Sequence, residues 1–168
     1  MDVFECVSTL SSVRSFISKE VPDDIIMKVM ESGRLAPSAH NDQPWEFILI
    51  KDKKVLKKLE QFCISGRFVS EAEFAVVILT DKSSKWFQID PTRAAQNMAL
   101  TAWSYELGTC WIGRLDTEGI MSLLNIPQKW HVLTVLPFGY FDKEYISKTK
   151  FRKPPEQVFH LDGYGIKL

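Results

Sequence analysis

A run of hydroxyl groups around a guanidinium occupies residues 11–16, whose sequence is Ser-Ser-Val-Arg-Ser-Phe. Hydroxyls and an arginine at this spacing can hold a phosphate or the polar edge of a ring through charge-assisted hydrogen bonds. A capped turn beside a solvated Arg14 would use the same residue types. On its own, the segment favours this structural interpretation.

The loop at residues 36–45 offers a different chemistry, because its donors and acceptors carry no charge. Two prolines rigidify the loop, while Ser38, Asn41 and Gln43 supply hydroxyl and amide groups. Uncharged groups of this kind suit the edge of a neutral heteroaromatic ring. An ordinary connection from a helix to a strand would also be built from such turn residues.

Three cations lie within four residues near the C-terminus, at Lys150, Arg152 and Lys153. In a chain whose net charge is zero, this run forms a local anion clamp. A solvated basic tail is the usual alternative explanation for such a run.

Several other motifs are incomplete. Gly108 and Gly113 have the spacing of a P-loop, but Arg114 and Leu115 stand where lysine and serine or threonine are needed. No GxGxxG or GxSxG motif occurs, and the three histidines are isolated. The sequence therefore does not support a nucleotide triphosphatase, a Rossmann dinucleotide site or a hydrolytic triad.

The cysteines argue against the common metal sites. Cys6, Cys63 and Cys110 form no CxxC pair and have no histidine at ligand spacing, so zinc and iron–sulfur clusters lack ligands. An odd number of separated cysteines fits a reducing cytoplasm. The N-terminus has no basic region typical of a signal peptide, and no apolar run approaches the roughly 20 residues that span a bilayer. We therefore expect a soluble, cytoplasmic protein.

The composition is that of an ordinary globular domain. The chain has 168 residues, of which 45% are hydrophobic and 25% are charged, enough for one domain with its own core. Its 21 basic residues equal its 21 acidic residues, so no overall basic field indicates a nucleic-acid partner. We predict a single domain over residues 1–168.

The elements that must position these segments alternate along the chain. The pattern predicts helices at 2–10, from Val21-Pro22 to about Pro37, at 53–63, at 91–107, and from Asp116 to before Pro127. It predicts strands at 46–51, 74–79, 110–113 and 131–140. Helices that alternate with strands in this way indicate an α+β layer structure.

Details of these elements lead to specific expectations. The helix at 91–107 carries four alanines, which indicates close approach by a neighbouring element, and Gly108 is its expected C-cap. The wholly apolar run 74–79 predicts a central strand. Pro137 should confine the end of the last strand to an edge or an exit from the sheet. The polar tail at 141–168 cannot form a core alone, so we expect it to lie on another surface.

Together, the segments resemble the nitroreductase family, and their order along the chain makes the resemblance specific. The matching stretches are Leu10 to Phe16, Val21 to Trp45, Gln96 to Gly113, Gly139-Tyr140 and Lys150 to Pro154. The second of them ends in Ala-Pro-Ser-x-x-Asn-x-Gln-Pro-Trp. The resemblance implies a central, mixed, mainly antiparallel sheet flanked by helices, and a homodimer in which the tail 141–168 packs on the partner subunit.

The same resemblance implies FMN as the cofactor and NAD(P)H as the electron donor. Hydride would pass through flavin N5 to a small acceptor, such as a nitroaromatic or a quinone, by a ping-pong mechanism. No protein residue need act as a nucleophile or metal ligand, and we assign no general acid.

The resemblance also assigns residues to parts of the cofactor. Ser12 and Arg14 would reach the flavin, with Arg14 at the N1–O2 edge, where a cation raises the reduction potential. The backbone of Ile112 and Gly113 would approach N5, where a side chain on residue 113 would obstruct. The remaining assignments are Lys150 and Arg152 at the phosphate, and Pro37, Ser38, Ala39 and Asn41 from the partner subunit at the other side of the ring.

The chain departs from the family pattern at Leu10 and Ser11, where the family often has an arginine and a second basic residue. Those cations help to hold the phosphate, so flavin affinity would be lower here unless Lys150, Arg152 and Lys153 compensate. Two other functions therefore stay open. One is a flavin protein of this fold with a different reaction, such as dehalogenation or flavin transformation. The other is a non-catalytic interaction protein that has lost the flavin.

Overall fold

The computed structural model describes residues 1–145 and 150–168, and these residues form one sheet covered by helices on both faces. The helices are α1 (Val3–Thr9), α2 (Asp23–Arg34), α3 (Lys53–Leu59), α4 (Ile89–Ser104) and α5 (Thr117–Leu123). The strands are β1 (Trp45–Ile50), β2 (Phe74–Asp81), β3 (Gly108–Thr109) and β4 (Trp130–Gly139). The predicted α+β fold class is confirmed.

The sheet has the strand order β1-β2-β4-β3, and each neighbouring pair of strands is antiparallel. The predicted central strand, β2, does lie inside the sheet, between β1 and β4. A parallel pairing occurs as an isolated bridge between Ser12 and Thr109. The sheet is therefore mainly antiparallel, and its parallel component is the bridge that brings the first candidate segment to β3.

Alternate residues of β2 enter two separate cores. Phe74, Val76 and Ile78 are fully buried in the core that contains residues of α2 and α4. The intervening residues Ala75, Val77 and Leu79 face the core that contains residues of α3 and α5. Both faces of this strand are covered, which is why its sequence is apolar throughout.

Pro137 does not mark an edge strand, so that expectation is wrong. The strand β4 is internal, between β2 and β3. The Val135 carbonyl accepts from Ile112 N–H on the β3 side, and residues two apart on a strand direct their backbone groups to the same side. The N–H that Pro137 lacks would therefore point toward β3. The last residue of β4 that pairs with β3 on this side is Phe138, so Pro137 breaks no pair with β3.

Gly108 is not the C-cap of α4, because that helix ends at Ser104 with Tyr105 as its C-cap. Glu106 takes the left-handed conformation beyond the end, with φ of 63°. Gly108 instead begins β3, where a Cβ atom would lie 2.6 Å from Val13 and 2.7 Å from Phe141. Close packing, and not a helix end, requires glycine at this position.

The short strand expected at 110–113 is displaced to Gly108–Thr109. Residue Ile112 makes only an isolated antiparallel bridge, to Val135. The alanines of α4 do permit close approach, and the neighbour is α2 of the same chain, since a Cβ on Gly33 would lie 2.1 Å from Met98 Cε.

The described part of the tail, residues 150–168, has no buried side chain. Phe151 is 89% exposed and Tyr164 is 96% exposed. The tail expected to pack on the partner subunit, residues 141–168, also includes residues 146–149, which lie outside the described residues. Among the residues that are described, no helix is both long and apolar enough to cross a membrane.

Candidate functional site

The first candidate segment runs in an extended conformation from β3 to the end of β4. Val13 N–H donates to the Thr109 carbonyl at 2.9 Å, and Ile17 N–H donates to the Tyr140 carbonyl at 2.9 Å. Val13 is buried, whereas Ser12 and Arg14 on either side of it are exposed. The alternation follows from extended geometry, and it places both candidate polar side chains on the outer face.

Two cavities adjoin at Ser12. One has a volume of about 430 Å³ and is lined by the 12–15 segment together with Ile17, Phe141 and Asp142. The other has a volume of about 220 Å³, and Gln96 of α4 and Thr109 of β3 contribute to its wall. Arg14 forms no ion pair with any side chain in the described residues. Its charge is therefore available to a ligand in the larger cavity.

Thr109 carries a polar atom that the protein leaves unsatisfied. The residue is only 5% exposed, and its hydroxyl has no hydrogen-bond partner among the described residues. A buried hydroxyl without a partner costs about 1–3 kcal/mol. Thr109 lines the smaller cavity beside Ser11 and Ser12. A ligand with hydroxyl or carbonyl groups would satisfy this atom, which fits the polar chain and ring edge of a flavin.

The strand-like segment at 112–113 exposes one backbone donor to the outside. Ile112 N–H donates to the Val135 carbonyl at 3.2 Å, and the Ile112 carbonyl accepts from the hydroxyl of Thr134 at 3.1 Å. Both backbone groups of Ile112 are thereby used within the protein. Gly113 is exposed, and its N–H has no acceptor in the described residues. The available donor for a ligand is therefore Gly113 N–H.

The loop at residues 37–43 is held in a strained conformation. His40, Asn41 and Gln43 have φ values of 53°, 60° and 48°, in the left-handed region that glycine favours. Such backbone conformations cost about 1–3 kcal/mol each, and they persist only where the surrounding structure holds them. The Ser38 hydroxyl accepts from Gln43 N–H at 3.0 Å, which closes the loop from within. Asn41 is exposed, so its amide can meet a ligand or another chain.

This loop rests on the first turns of α4. Ala39 N–H donates to the Asp90 carboxylate at 2.9 Å, and Arg93 lies 3.5 Å from both that carboxylate and the Pro37 carbonyl. Asp90 and Arg93 were not among the predicted site residues. A buried acid at the start of a helix points to a site, but burial is known only from the folded structure. Thr109 was missed for the same reason.

Helix geometry separates the loop from the Ser12 cavities. The side chains of α4 that line the smaller cavity are Thr92, Ala95, Gln96 and Ala99. At about 100° per residue, Asp90 lies on the opposite side of the helix from these residues, whereas Arg93 is about 60° from Gln96. Pro37, Ser38, Ala39 and Asn41 line neither Ser12 cavity of their own chain.

Two of the three basic residues of the anion clamp, Lys150 and Arg152, have different surroundings. Lys150 Nζ donates to the Val7 carbonyl of α1 at 3.1 Å, so it lies close to the chain that leads into Ser12. Burial, together with the charge of Arg152, lowers the pKa of Lys150 below its ordinary value. Arg152 is exposed and donates to the carbonyl of its neighbour Phe151 at 2.8 Å. An anion near both would relieve their mutual repulsion.

The cysteines are buried, and His131 lies away from the Ser12 cavities. All three cysteines are free and buried, and burial raises the pKa of Cys63 to about 12. Burial and the charge of Lys82 lower the pKa of His131, which lies on β4 away from the Ser12 cavities. In the part of the chain that the structure describes, no group of three or more potential ligands could hold a metal.

The family model for nitroreductases matches residues 10–82 and 64–140, which together include the whole sheet and the smaller cavity at Ser12. Of the larger cavity's lining, only Phe141 and Asp142 lie beyond the match. The chain belongs to the nitroreductase family. This nitroreductase-family chain is 34% identical to a Methanothermobacter thermautotrophicus protein provisionally named NADH dehydrogenase/NAD(P)H nitroreductase, over 83% of its own length and 78% of the relative.

Two solved structures share the fold at this level of similarity. A Parabacteroides distasonis protein, with the same provisional name, has a TM-score of 0.86 and 30% identity over 96% of this chain and 98% of its own. An FMN-dependent nitroreductase from Clostridium difficile has a TM-score of 0.85 and 27% identity over 96% of this chain and 99% of its own. The predicted family and fold are confirmed.

Proposed function

We propose that this protein binds FMN at the Ser12 cavities and transfers reducing equivalents from NAD(P)H to a small acceptor by a ping-pong mechanism. The general activity is that of an NAD(P)H-dependent oxidoreductase with FMN, in line with the relatives described above. The observation that carries the assignment to this site is the buried hydroxyl of Thr109, which has no hydrogen-bond partner among the described residues. It lines the smaller cavity, which adjoins at Ser12 the cavity that Arg14 lines.

When bound, FMN accepts a hydride at N5 and passes electrons on to the acceptor. The chain's own residues would bind the flavin and raise its reduction potential. Arg14 would lie at the N1–O2 edge, where its positive charge favours the reduced flavin. Gly113 N–H is the free donor that could meet N5, while Ile112 keeps the segment in place through β4. We assign no general acid, since nothing distinguishes a candidate among the side chains at the site.

The phosphate would lie beside Lys150 and Arg152. The position of Lys150 near Val7 puts its ammonium within a few residues of Leu10 and Ser11, where the family often carries cations. The chain thus has a positive charge in that neighbourhood, although it comes from the tail. This supports compensation for the two missing basic residues.

The separation of the 37–41 loop from the cavities supports a homodimer with shared sites. Because residues 37–41 line neither cavity of their own chain, a second copy of the chain would supply them to the flavin. Exposed apolar side chains support assembly as well, since Val3 and Phe4 of α1 are 76% and 80% exposed. The equally exposed tail, residues 150–168, would pack on the partner.

The acceptor class follows from the openness of the site. Only residues 82–88 connect β2 to α4, so little chain is available for a lid. Trp111, at the smaller cavity, is 41% exposed and offers a flat apolar surface. We propose small planar acceptors, such as nitroaromatics and quinones. The free cysteines fit a reducing compartment, and we propose the cytoplasm.

Spectroscopy of the purified protein tests the proposal. The protein should be yellow, or should take up FMN on titration, and anaerobic NADH or NADPH should bleach the flavin before a nitroaromatic or quinone restores it. Protein that never binds flavin would instead support the non-catalytic function. Bound flavin that neither nicotinamide bleaches would support a different flavin reaction, such as dehalogenation.

A further inference from the structure

We propose that Asp90 and Arg93 are positioning residues, which hold the loop 37–43 of one subunit for the flavin of the partner subunit. The inference rests on the proposed function, and it adds a role for a pair of residues on α4 that do not line the Ser12 cavities. Neither residue would touch the flavin itself.

Asp90 is the one buried carboxylate among the described residues, with 1% of its surface exposed. A buried charge is costly unless it is paired and hydrogen-bonded. Its two oxygens serve different partners, since one accepts from Ala39 N–H at 2.9 Å and the other lies 3.5 Å from the Arg93 guanidinium. The same guanidinium approaches the Pro37 carbonyl at 3.5 Å. Two charged groups of α4 thereby hold two successive points of the loop backbone.

The loop has internal hydrogen bonds, such as the one from Gln43 N–H to the Ser38 hydroxyl, but no buried side chain from His40 to Gln43 fixes it to the core. His40, Asn41 and Gln43 have positive φ, and every side chain from His40 to Gln43 is exposed, so none is anchored in a core. Strained backbone conformations persist only where the surroundings over-determine them. If Asp90 lets go of Ala39, the loop should relax toward ordinary conformations, and Asn41 would leave its position.

The direction of the effect follows from α4. Asp90 faces the loop on the side of α4 opposite Thr92 and Gln96, which line the smaller cavity. The loop residues 37–43 line neither Ser12 cavity of their own chain. A change at Asp90 should weaken the flavin site that is completed by this loop, which is the partner's.

The first experiment compares Asp90→Asn with Glu31→Gln in the full-length protein by FMN titration. Asn keeps the size and an acceptor oxygen but loses the charge. Glu31 is a matched control, because it too pairs with an arginine three residues on, Arg34, at 2.6 Å, and it makes no hydrogen bond to the loop. We expect Asp90→Asn to raise the FMN dissociation constant roughly tenfold and Glu31→Gln to leave it unchanged. Equal affinities of the two variants would overturn the inference.

Mixed dimers separate positioning from a simple loss of stability. A dimer that pairs an Asp90→Asn chain with an Arg14→Ala chain should keep one intact site, because the first chain supplies an intact cavity and the second an intact loop. A dimer with both changes on one chain and none on the other should keep no intact site.

In FMN titrations, affinity-tagged mixed dimers of the two kinds should therefore contain one site and no site of wild-type affinity, respectively. The reverse outcome would mean that Asp90 serves its own chain's site, and equal binding would mean a general structural role; either would overturn the inference. Wild-type protein without flavin uptake would overturn the proposed function and this inference together.

Discussion

The fold leaves room for a side chain at Gly113, so the requirement for glycine there would come from the ligand. A Cβ at this position would lie 3.7 Å from Trp111, an ordinary contact, so the apoprotein has room for a methyl group. The free N–H of the same residue is the donor proposed for flavin N5. At the residue scale, the glycine therefore reflects the ligand more than the protein.

We predict that Gly113→Ala raises the FMN dissociation constant by roughly tenfold or more, equal to about 1.4 kcal/mol, with apoprotein stability unchanged within about 0.5 kcal/mol. Gly108→Ala is the contrast, because its methyl group would collide with Val13 and Phe141 and should destabilise the fold by about 1–3 kcal/mol. Flavin fluorescence titration and urea unfolding measure the two effects. Wild-type affinity in Gly113→Ala would contradict the placement of N5.

The guanidinium of Arg152 belongs to the proposed phosphate site. We predict that Arg152→Ala raises the FMN dissociation constant roughly 10–150-fold, since a charge-assisted hydrogen bond contributes about 1.5–3 kcal/mol. Arg114→Ala is the matched control, because Arg114 is also exposed and has no ion pair in the described residues. Titration of both variants with FMN measures the difference. Equal, small effects would remove the anion clamp from the site.

The junction between β4 and residue 112 shows how an element positions a site. Thr134 is fully buried in β4, and its hydroxyl donates to the Ile112 carbonyl. The neighbouring Ile112 N–H pairs with Val135, so β4 holds the segment from both of its backbone groups. The orientation of Gly113 thus depends on a side chain of the central sheet.

We predict that Thr134→Val lowers the free energy of unfolding by about 1–3 kcal/mol, because the Ile112 carbonyl is left buried without its donor. FMN binding should weaken as well, since Gly113 loses its orientation. Thr134→Ser keeps the hydroxyl and is the control, with the flavin affinity of wild type. Urea unfolding and FMN titration would check both, and a valine variant with unchanged affinity would uncouple β4 from the site.

At the scale of the whole molecule, assembly and flavin binding should be linked. If the cavities come from one chain and the loop 37–41 from the other, each site exists only in the dimer. Ligands that bind one assembly state shift the equilibrium toward it. A two-fold symmetric dimer is the commonest closed arrangement of soluble homo-oligomers.

We predict that FMN shifts a dilute sample toward dimer in light scattering. Mixing two inactive variants, Asn41→Ala and a deletion of residues 150–168, should restore partial activity, because the mixed dimer keeps one intact site when the lesions fall on different contributing chains. Each variant alone serves as the control. A monomeric protein that is flavin-loaded and active would contradict the shared site.

The sequence by itself determined the elements and the family. Apolar periodicity depends only on near neighbours, so the five α-helices and the strands β1, β2 and β4 were predicted, with ends that differ by a few residues from those observed. The short β3 was expected at 110–113 and lies at Gly108–Thr109 instead. The order of the motifs along the chain indicated the nitroreductase family, which the family model confirms. Residue types singled out the segment at Ser12 and the loop at 36–45, and the family resemblance implied their role at the flavin.

Only the tertiary structure decided which residues meet. Ala39 and Asp90 are 51 residues apart, and Val7 and Lys150 are 143 apart, so no local pattern indicates either contact. The positions of Gly108 and Pro137 were misjudged for the same reason, because Val13 and β3 approach them from distant parts of the chain. Burial is likewise a property of the folded chain. It distinguishes Asp90 from the other acids of the described residues, and the lack of a hydrogen-bond partner there distinguishes Thr109 from the equally buried Thr80 and Thr134.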